Sequence, residues 1–379
     1  MRILHLTSFL QGGAGRVVRD LALLQSSRGD RVGVLTSQTG VEGYGNYPQY
    51  LGELRRGGVE VVEADSLFFR DPGGLLAALD GAGSLLERLR PEILHGHAAF
   101  PALGALVLRG SSFPGSSTLM TMHGWGLRKS PEMERADVAV MSRVDRVVAV
   151  AQTGRDFLLS KGLAPERVEV VYNGVDSIGA GGLPGDPLWS ALKEEKGRGK
   201  RIIGCLGTLG ERKNQALLLE AFVPLARRFS DLILLFIGDG DESSLRERAE
   251  REGLRERVVF GGYRPQGDAY LSLFDLLVLP SRNEGMPLTL LEALRERIPI
   301  LASSIPEHRE ILQEGALGAL FPVDNREALE ALLEESLALT PGERTLLVER
   351  GAQRFAESFS REKMEEGYRA LYAALRGRG

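Results

Sequence analysis

The chain has 379 residues, 43% of them hydrophobic and 26% charged, with a net charge of −4. At about 100–200 residues per domain this length implies two domains, and the apolar fraction excludes a disordered chain. Residues 1–176 carry 19 basic and 19 acidic side chains and the remainder 28 and 32, so neither half offers the positive field that nucleic acid requires.

The first residues, Met1–Thr7, predict a strand that runs into a glycine loop. They lack the longer apolar core and small-residue cleavage site of a signal peptide. Gly12-Gly13-Ala14-Gly15 forms the loop, and Val17, Val18, Leu21 and Leu24 follow at helical spacing. Val18 stands where a dinucleotide fingerprint has its third glycine, and the next strand, Arg31–Thr36, ends without an acidic residue. NAD binding is therefore disfavoured, while a tight loop that admits ligand near Gly13 is retained.

Strands are expected at Val59–Glu63, Ile93–His97, Thr118–Met122 and Arg146–Ala151, with helices between them. Continuous apolar strands alternating with helices imply a parallel sheet covered on both faces. His95 and His97 share one face of their strand, but no third or fourth ligand stands at metal-binding spacing. His123 ends its strand before Gly124, a position that favours function over a core role.

Asp176–Lys200 is rich in Gly and Pro and reads as a connector. The strand–helix rhythm restarts at Arg201–Leu206 and recurs with strands at Leu232–Ile237, Arg257–Phe260, Leu276–Leu279 and Ile298–Ala302. Helices are expected at Ala216–Phe229, Ser243–Glu252, Leu288–Arg297, Arg326–Thr340 and Glu362–Leu375. Cys205 is alone, so no intramolecular disulfide or cysteine zinc site forms, and a reducing compartment such as the cytoplasm is expected. No apolar run reaches the roughly 18 residues of a membrane span.

Two doubly wound α/β domains follow, with ligand expected at the carboxyl ends of their strands and in the cleft between them. In the second half, Gly207–Gln215 (GTLGERKNQ) places Arg212 and Lys213 in a strand-to-helix loop, where two cations suit a diphosphate. A solvated loop with Asn214 as helix cap is the plainer alternative. Leu279–Glu292 (LPSRNEGMPLTLLE) ends a strand at Pro280 and opens a helix at Gly285-Met286-Pro287, whose free amides suit a phosphate. Glu284 precedes the turn and Glu292 lies about two turns in, each able to accept two hydroxyl hydrogen bonds. The plainer alternative makes one a capping charge and the other a solvated residue. Asp239-Gly240-Asp241 reads as a turn in preference to a metal-binding pair.

Together these residues resemble glycosyltransferase family 4, retaining enzymes of GT-B fold. The ordered set that carries the resemblance is Glu284-Gly285-Met286-Pro287 through Glu292, Gly207 to Asn214, Ile237-Gly238-Asp239-Gly240, Phe260-x-Gly262-Tyr263, Tyr172-Asn173-Gly174-Val175-Asp176, and Ser304-Ile305-Pro306-Glu307 followed by Gly315 and Gly318. The resemblance implies two Rossmann-like domains facing a central cleft. Residues 1–176, joined by a returning helix at about 362–379, would form an acceptor-side domain, and 177–361 a donor domain. It implies transfer of a hexosyl unit, with retention, from a nucleoside diphosphate sugar to a carbohydrate, lipid-linked or small-molecule hydroxyl. No metal or cofactor would be needed.

By the same resemblance Lys213 would hold the diphosphate with Arg212, and Glu284 and His123 would meet the hexose. Gly13, Gly207, Gly285, Met286 and Leu288 would approach sugar and phosphate, Tyr263 and Arg264 the base, and Glu292 the ribose. The family's loop arginine is Thr208 in this chain, and Gly124 stands where many members have Asp. The acceptor would be chosen by loops around Tyr44–Tyr50, Phe68–Gly74 and Gly124–Arg135, where Trp125, Leu127, Arg128 and Lys129 could make a small membrane-contacting patch. A non-hydrolysing nucleotide-sugar epimerase is the alternative on the same architecture. A dehydrogenase is disfavoured by the first loop, and a non-catalytic sugar-binding protein by the presence of Glu284, Glu292 and Lys213.

Overall fold

A computed structural model describes residues 1–38, 44–64, 70–126, 129–179 and 181–376. The chain divides into two units, Met1–Gly174 with Arg361–Gly379, and Val175–Ser360.

The first unit runs β1 (Arg2–Thr7), α1 (Gly12–Ser27), β2 (Arg31–Ser37), α2 (Pro48–Arg56), β3 (Glu60–Ala64), α3 (Pro72–Gly81), α4 (Gly83–Leu89), β4 (Ile93–Gly96), α5 (Ala99–Ser111), β5 (Ser117–Met122), α6 (Pro131–Met141), β6 (Arg146–Ala149), α7 (Gln152–Ser160) and β7 (Val168–Val170). Its sheet is parallel throughout, in the order β3-β2-β1-β4-β5-β6-β7. The direction of winding reverses between β1 and β4. Register sets His5 of β1 directly beside His95 of β4.

The second unit runs α8 (Pro187–Gly197), β8 (Arg201–Leu206), α9 (Gln215–Arg228), β9 (Leu232–Ile237), α10 (Ser243–Arg251), β10 (Val258–Phe260), β11 (Leu276–Leu279), α11 (Leu288–Arg295), β12 (Ile300–Ser303), α12 (Pro306–Ile311), β13 (Ala319–Phe321), α13 (Arg326–Ala338) and α14 (Pro341–Ser358). Its parallel sheet has the order β10-β9-β8-β11-β12-β13, reversing between β8 and β11. All six residues of β9 are buried, as a strand covered on both faces requires. Phe222, Phe236 and Phe321 anchor its core. The last helix, α15 (Arg361–Arg376), belongs to the first unit. There it buries Tyr368 and Tyr372 completely and pairs Arg369 with Asp30 at 2.9 Å.

Each unit is thus a doubly wound, Rossmann-like α/β domain, the pair expected of the GT-B class. Asp176–Lys200 is more than a connector, because α8 lies within it. Asp186 accepts from the Trp189 amide, Pro187 takes the first turn, and Trp189 and Leu192 are buried. The Gly/Pro-rich stretch before it masked a helix start that Asp-Pro itself signals. Helix α14 also goes beyond the expected elements. It opens on a reciprocal capping box between Thr340 and Glu343. No helix among the described residues is long and apolar enough to cross a membrane.

Candidate functional site

In the second unit, the loops after β8, β9 and β10 lie against one another by backbone. The Gly207 amide donates to the Ile237 carbonyl at 2.8 Å, and the Gly238 amide to the Gly262 carbonyl at 2.9 Å. A Cβ on Gly238 would stand 2.1 Å from the Gly207 carbonyl oxygen, so no side chain fits there. The Lys213 side chain packs over Gly207, its Nζ 3.5 Å from where a Cβ would stand.

This packing brings the loop after β8 to the loop after β11, the two strands between which the winding reverses. Ligands bind at such points in open α/β sheets. Lys213 Nζ lies 2.6 Å from Glu284 Oε1, and an Arg212 guanidinium nitrogen lies 2.8 Å from Glu284 Oε2. The Ser281 hydroxyl donates to Oε1 at 2.8 Å, and Arg212 also donates to the Asn283 carbonyl at 3.0 Å. Arg282 returns the link by donating to the Glu211 carbonyl at 3.0 Å and to Asp324 at 2.8 Å. Glu284 has only 6% of its side chain exposed, whereas Arg212 has 47%. Burial alone would raise the Glu284 carboxyl. The Lys213 and Arg212 charges and their hydrogen bonds outweigh it and bring the value down to about 2. Two cations therefore face one fixed carboxylate, which leaves one unit of positive charge for an incoming anion.

Asn214 does not cap α9 with its side chain. It takes left-handed backbone (φ +55°), and its Nδ2 donates to Asp324 at 2.8 Å. The loop is closed instead by Gln215, which accepts from the Gly210 amide and donates to the Thr208 carbonyl. Thr208 is exposed, and the second charge on Glu284 comes from Arg212.

Helix α11 begins at Leu288, as expected, and ends at Arg295, two residues short of the expected Arg297. Pro287 is the residue before the helix, in extended backbone, and Gly285 and Met286 lie in the turn ahead of it. Met286 and Leu288 are buried. Glu292 is the fifth helical residue, short of two turns in, and is 2% exposed, so it is not a solvated helix residue. Glu284 and Glu292 are both buried, so replacing either bears on stability as well as on the site. Beyond β10, Tyr263 is 41% exposed and Arg264 pairs with Asp186 at 3.4 Å. Asp241 accepts from the Ser243 amide at 2.9 Å, the geometry of a turn. Cys205 is buried, and its thiol is pushed up to about 12, mainly by that burial.

In the first unit, Gly12–Gly15 is the first turn of α1 and not a loop ahead of it. The need for glycine falls on Gly12 (φ +57°) and on Gly15, where a Cβ would meet the Leu10 backbone at 2.5 Å. Gly13 is exposed. His123 follows the last residue of β5 and joins a row of imidazoles. His5 Nδ1 lies 3.0 Å from His97 Nε2, and His97 Nδ1 lies 3.0 Å from His123 Nε2. His95 bonds Tyr372 and Thr121, both at 2.8 Å.

Sequence spacing missed His5 as a third ring beside His95 and His97. The signal was the register of two strands far apart in the chain. The three offer ring nitrogens within 4.8 Å of one another, a candidate metal cluster. Yet both nitrogens of each ring already have protein partners: Gln25 and His97 for His5, Tyr372 and Thr121 for His95, His5 and His123 for His97. Ser281 and Asp324 also went unrecognised, being ordinary loop residues until the fold brings them to Glu284 and Arg282.

Of the membrane-patch residues, Leu127 and Arg128 lie outside the described residues, as do 68–69 of the expected acceptor loops. Trp125 donates to Glu134 at 3.2 Å, and Lys129 sits 3.6 Å over the Trp125 ring while pairing with Asp137 at 2.8 Å.

Residues 191–354 match the family model described as Glycosyl transferases group 1, and residues 11–177 match the model for Glycosyltransferase Family 4. The chain is 25% identical over 374 residues to N-acetyl-alpha-D-glucosaminyl L-malate synthase of Bacillus anthracis, covering 95% of this chain and 93% of that one. It is 31% identical over 196 residues to phosphatidyl-myo-inositol mannosyltransferase of Mycobacterium tuberculosis, covering 50% and 48%. Among solved structures it resembles a glycosyltransferase from Rickettsia africae, with a TM-score of 0.82, 17% identity and 98% of each chain covered. It also resembles Anabaena HepE in complex with UDP-glucose, with a TM-score of 0.81, 19% identity and 98% and 99% covered. At these identities the structural matches speak for the fold.

Replacing Glu284 by Gln leaves Lys213, with 14% of its side chain exposed, without its carboxylate. Losing one partner of such a pair should cost about 3 kcal/mol, the low end for a buried pair because Arg212 is half exposed, read as a lowered thermal midpoint against wild type.

The histidines give a second expectation. Burial brings His5, His123 and His308 down from 6.5 to about 4, and His95 and His97 well below 6.5. The unfolded chain therefore takes up protons first as pH falls below 6.5. Stability is full above that value and is lost on the way down to about pH 4. Glu284 adds a further loss only between its ordinary 4.5 and about 2. Melting curves from pH 7.5 to 4.5 should show a steady fall of the midpoint, at up to about 1.4 kcal/mol per pH unit for each histidine. A flat profile would contradict the buried neutral row.

Proposed function

The chain is a glycosyltransferase-type enzyme of GT-B fold, and from that premise we propose that it moves a hexosyl unit, with retention, from a nucleoside diphosphate sugar to an acceptor hydroxyl. The observation that carries this reading is the convergence of Lys213 and Arg212 on Glu284 where the winding of the second sheet reverses, just ahead of α11. The second unit is the donor domain in this reading and the first the acceptor side. Diphosphate oxygens compete with Glu284 for the two cations. As the cations turn to phosphate, a Glu284 oxygen is released to accept a hydrogen bond from a sugar hydroxyl. The amides of Leu288 and Thr289 open α11 and add the positive end of its dipole.

These groups stabilise the negative charge that grows on the departing diphosphate, and no carboxylate needs to form a bond to the sugar. Gly207, Gly285 and Met286 keep backbone close to the phosphates, and Gly13 does so from the first unit. Tyr263 and Arg264 border the base, Glu292 takes the ribose, and His123 meets the hexose. Solved neighbours carry UDP and UDP-glucose, which makes UDP-glucose the first donor to assay. Relatives named for L-malate, phosphatidyl-myo-inositol and lipopolysaccharide core span small-molecule, lipid and glycan acceptors, and the acceptor here is drawn from those classes. In this reading no metal or cofactor is needed, because Lys213, Arg212 and the start of α11 answer the diphosphate charge. The enzyme works in the cytoplasm, at the membrane surface when the acceptor is a lipid.

Lys213→Ala should lower turnover by about 10²–10³ while Glu292→Gln raises KM for the donor more than it lowers kcat. The measurement is steady-state transfer or donor hydrolysis over a panel of nucleotide sugars. Near-normal kinetics in both variants would remove the donor site. A donor isomerised without any acceptor would instead identify an epimerase.

Metal independence is tested by exhaustive EDTA treatment. Activity should persist, and a loss restored only by Mg²⁺, Mn²⁺ or Zn²⁺ would overturn it.

A further inference from the structure

The imidazole row has a direction, and its far end is set by a residue in α1. Gln25 Oε1 lies 2.8 Å from His5 Nε2. A carbonyl oxygen only accepts, so His5 carries its proton on Nε2 and leaves Nδ1 bare. His97 must then donate from Nε2 across 3.0 Å to His5 Nδ1, which leaves its own Nδ1 bare. His123 in turn donates from Nε2 across 3.0 Å to His97 Nδ1. One proton per ring, passed along two nitrogen–nitrogen bonds, leaves His123 Nδ1 as a lone pair. That atom is buried and has no partner among the described residues.

The opposite direction would end the row in a buried, unpaired N–H. Such orphan donors are rarer in proteins than bare acceptors. Gln25 is itself held, since its Nε2 faces the Tyr372 hydroxyl at 3.4 Å. Burial keeps all three rings neutral at physiological pH, so none of them supplies a second proton. His123 stands just past β5, at the carboxyl edge of the first sheet, where α/β domains bind ligand.

We propose that Gln25, acting through His5 and His97, fixes the tautomer of His123 so that it meets the sugar as a hydrogen-bond acceptor and selects a hydroxyl over a phosphate or carboxylate oxygen. Gln25, His5 and His97 are positioning residues. Their effect on the reaction rests on the reading above that His123 touches the hexose, whereas their effect on the tautomer does not.

The test uses the full chain labelled with ¹⁵N-histidine. Long-range ¹H–¹⁵N spectra report which ring nitrogen is protonated, with each ring assigned by single substitution. In the wild type, His5, His97 and His123 should all carry the proton on Nε2. Gln25→Leu removes the acceptor at the head of the row, and the tautomer ratio of His123 should shift by about 2–10-fold, one hydrogen bond's bias, although Gln25 does not touch it. If Gln25→Leu does not fold, Gln25→Met removes the same carbonyl with an unbranched chain of similar length. Turnover on the nucleotide sugar should fall by about 3–10-fold alongside the shift. A wild-type His123 protonated on Nδ1, or a His123 signal unmoved by the Gln25 variant while His5 responds, would overturn the relay. A shifted His123 signal with unchanged turnover would overturn its contact with the sugar, and so locates the failure in the proposed site.

Discussion

Strands buried on both faces leave little room for chemistry along their length. In β9 every residue from Leu232 to Ile237 is spent on the core, and β1 is buried from Ile3 onward. In the second unit polar side chains stand only at the strand ends, where the loops must approach one another closely to make a site. Gly238 meets that demand in the second unit, because its backbone lies against that of Gly207 where any side chain would collide. The positions of Lys213 and Glu284 follow from this contact and from the adjacency of β8 and β11.

The two edges handle buried polarity by opposite means. In the second unit charge is kept and compensated, with Glu284 ionised between two cations and steadied by Ser281. Along the histidine row of the first unit charge is excluded, and four histidines are satisfied by hydrogen bonds alone, save for one nitrogen of His123. An ionised cluster adapts when an anion enters, since its partners can exchange. A neutral hydrogen-bonded row is directional and offers its ligand only one kind of contact.

Much of this was legible in the sequence. Arg201–Leu206, Leu232–Ile237 and Leu276–Leu279 read as strands to the residue, because each is an unbroken apolar run closed by Gly, Pro or charge. Arg212, Lys213 and Glu284 stood out because polar residues at strand ends are exposed to a short list of uses. The outermost strands β7 and β13, three residues each, fell below any periodicity. Helix α8 was hidden by the glycines before it, though Asp186-Pro187 marked its start. The burial of Glu292 and the arrival of His5 beside His95 depend on tertiary packing and strand register, which local pattern does not carry. The same limit applies to Asn214, whose partner Asp324 is distant in sequence.

Helix α15 bears on how the polypeptide matures. Tyr368 and Tyr372 close the core of the first unit and bond Thr121 and His95, yet they are made only after the whole of Val175–Ser360. The second unit is an insertion within the first. On the ribosome it has all of its strands before the first unit has its last helix, reversing the usual amino-to-carboxyl order of completion. Until α15 is made, the histidine row lacks a wall, and the nascent chain carries one finished domain and one still open.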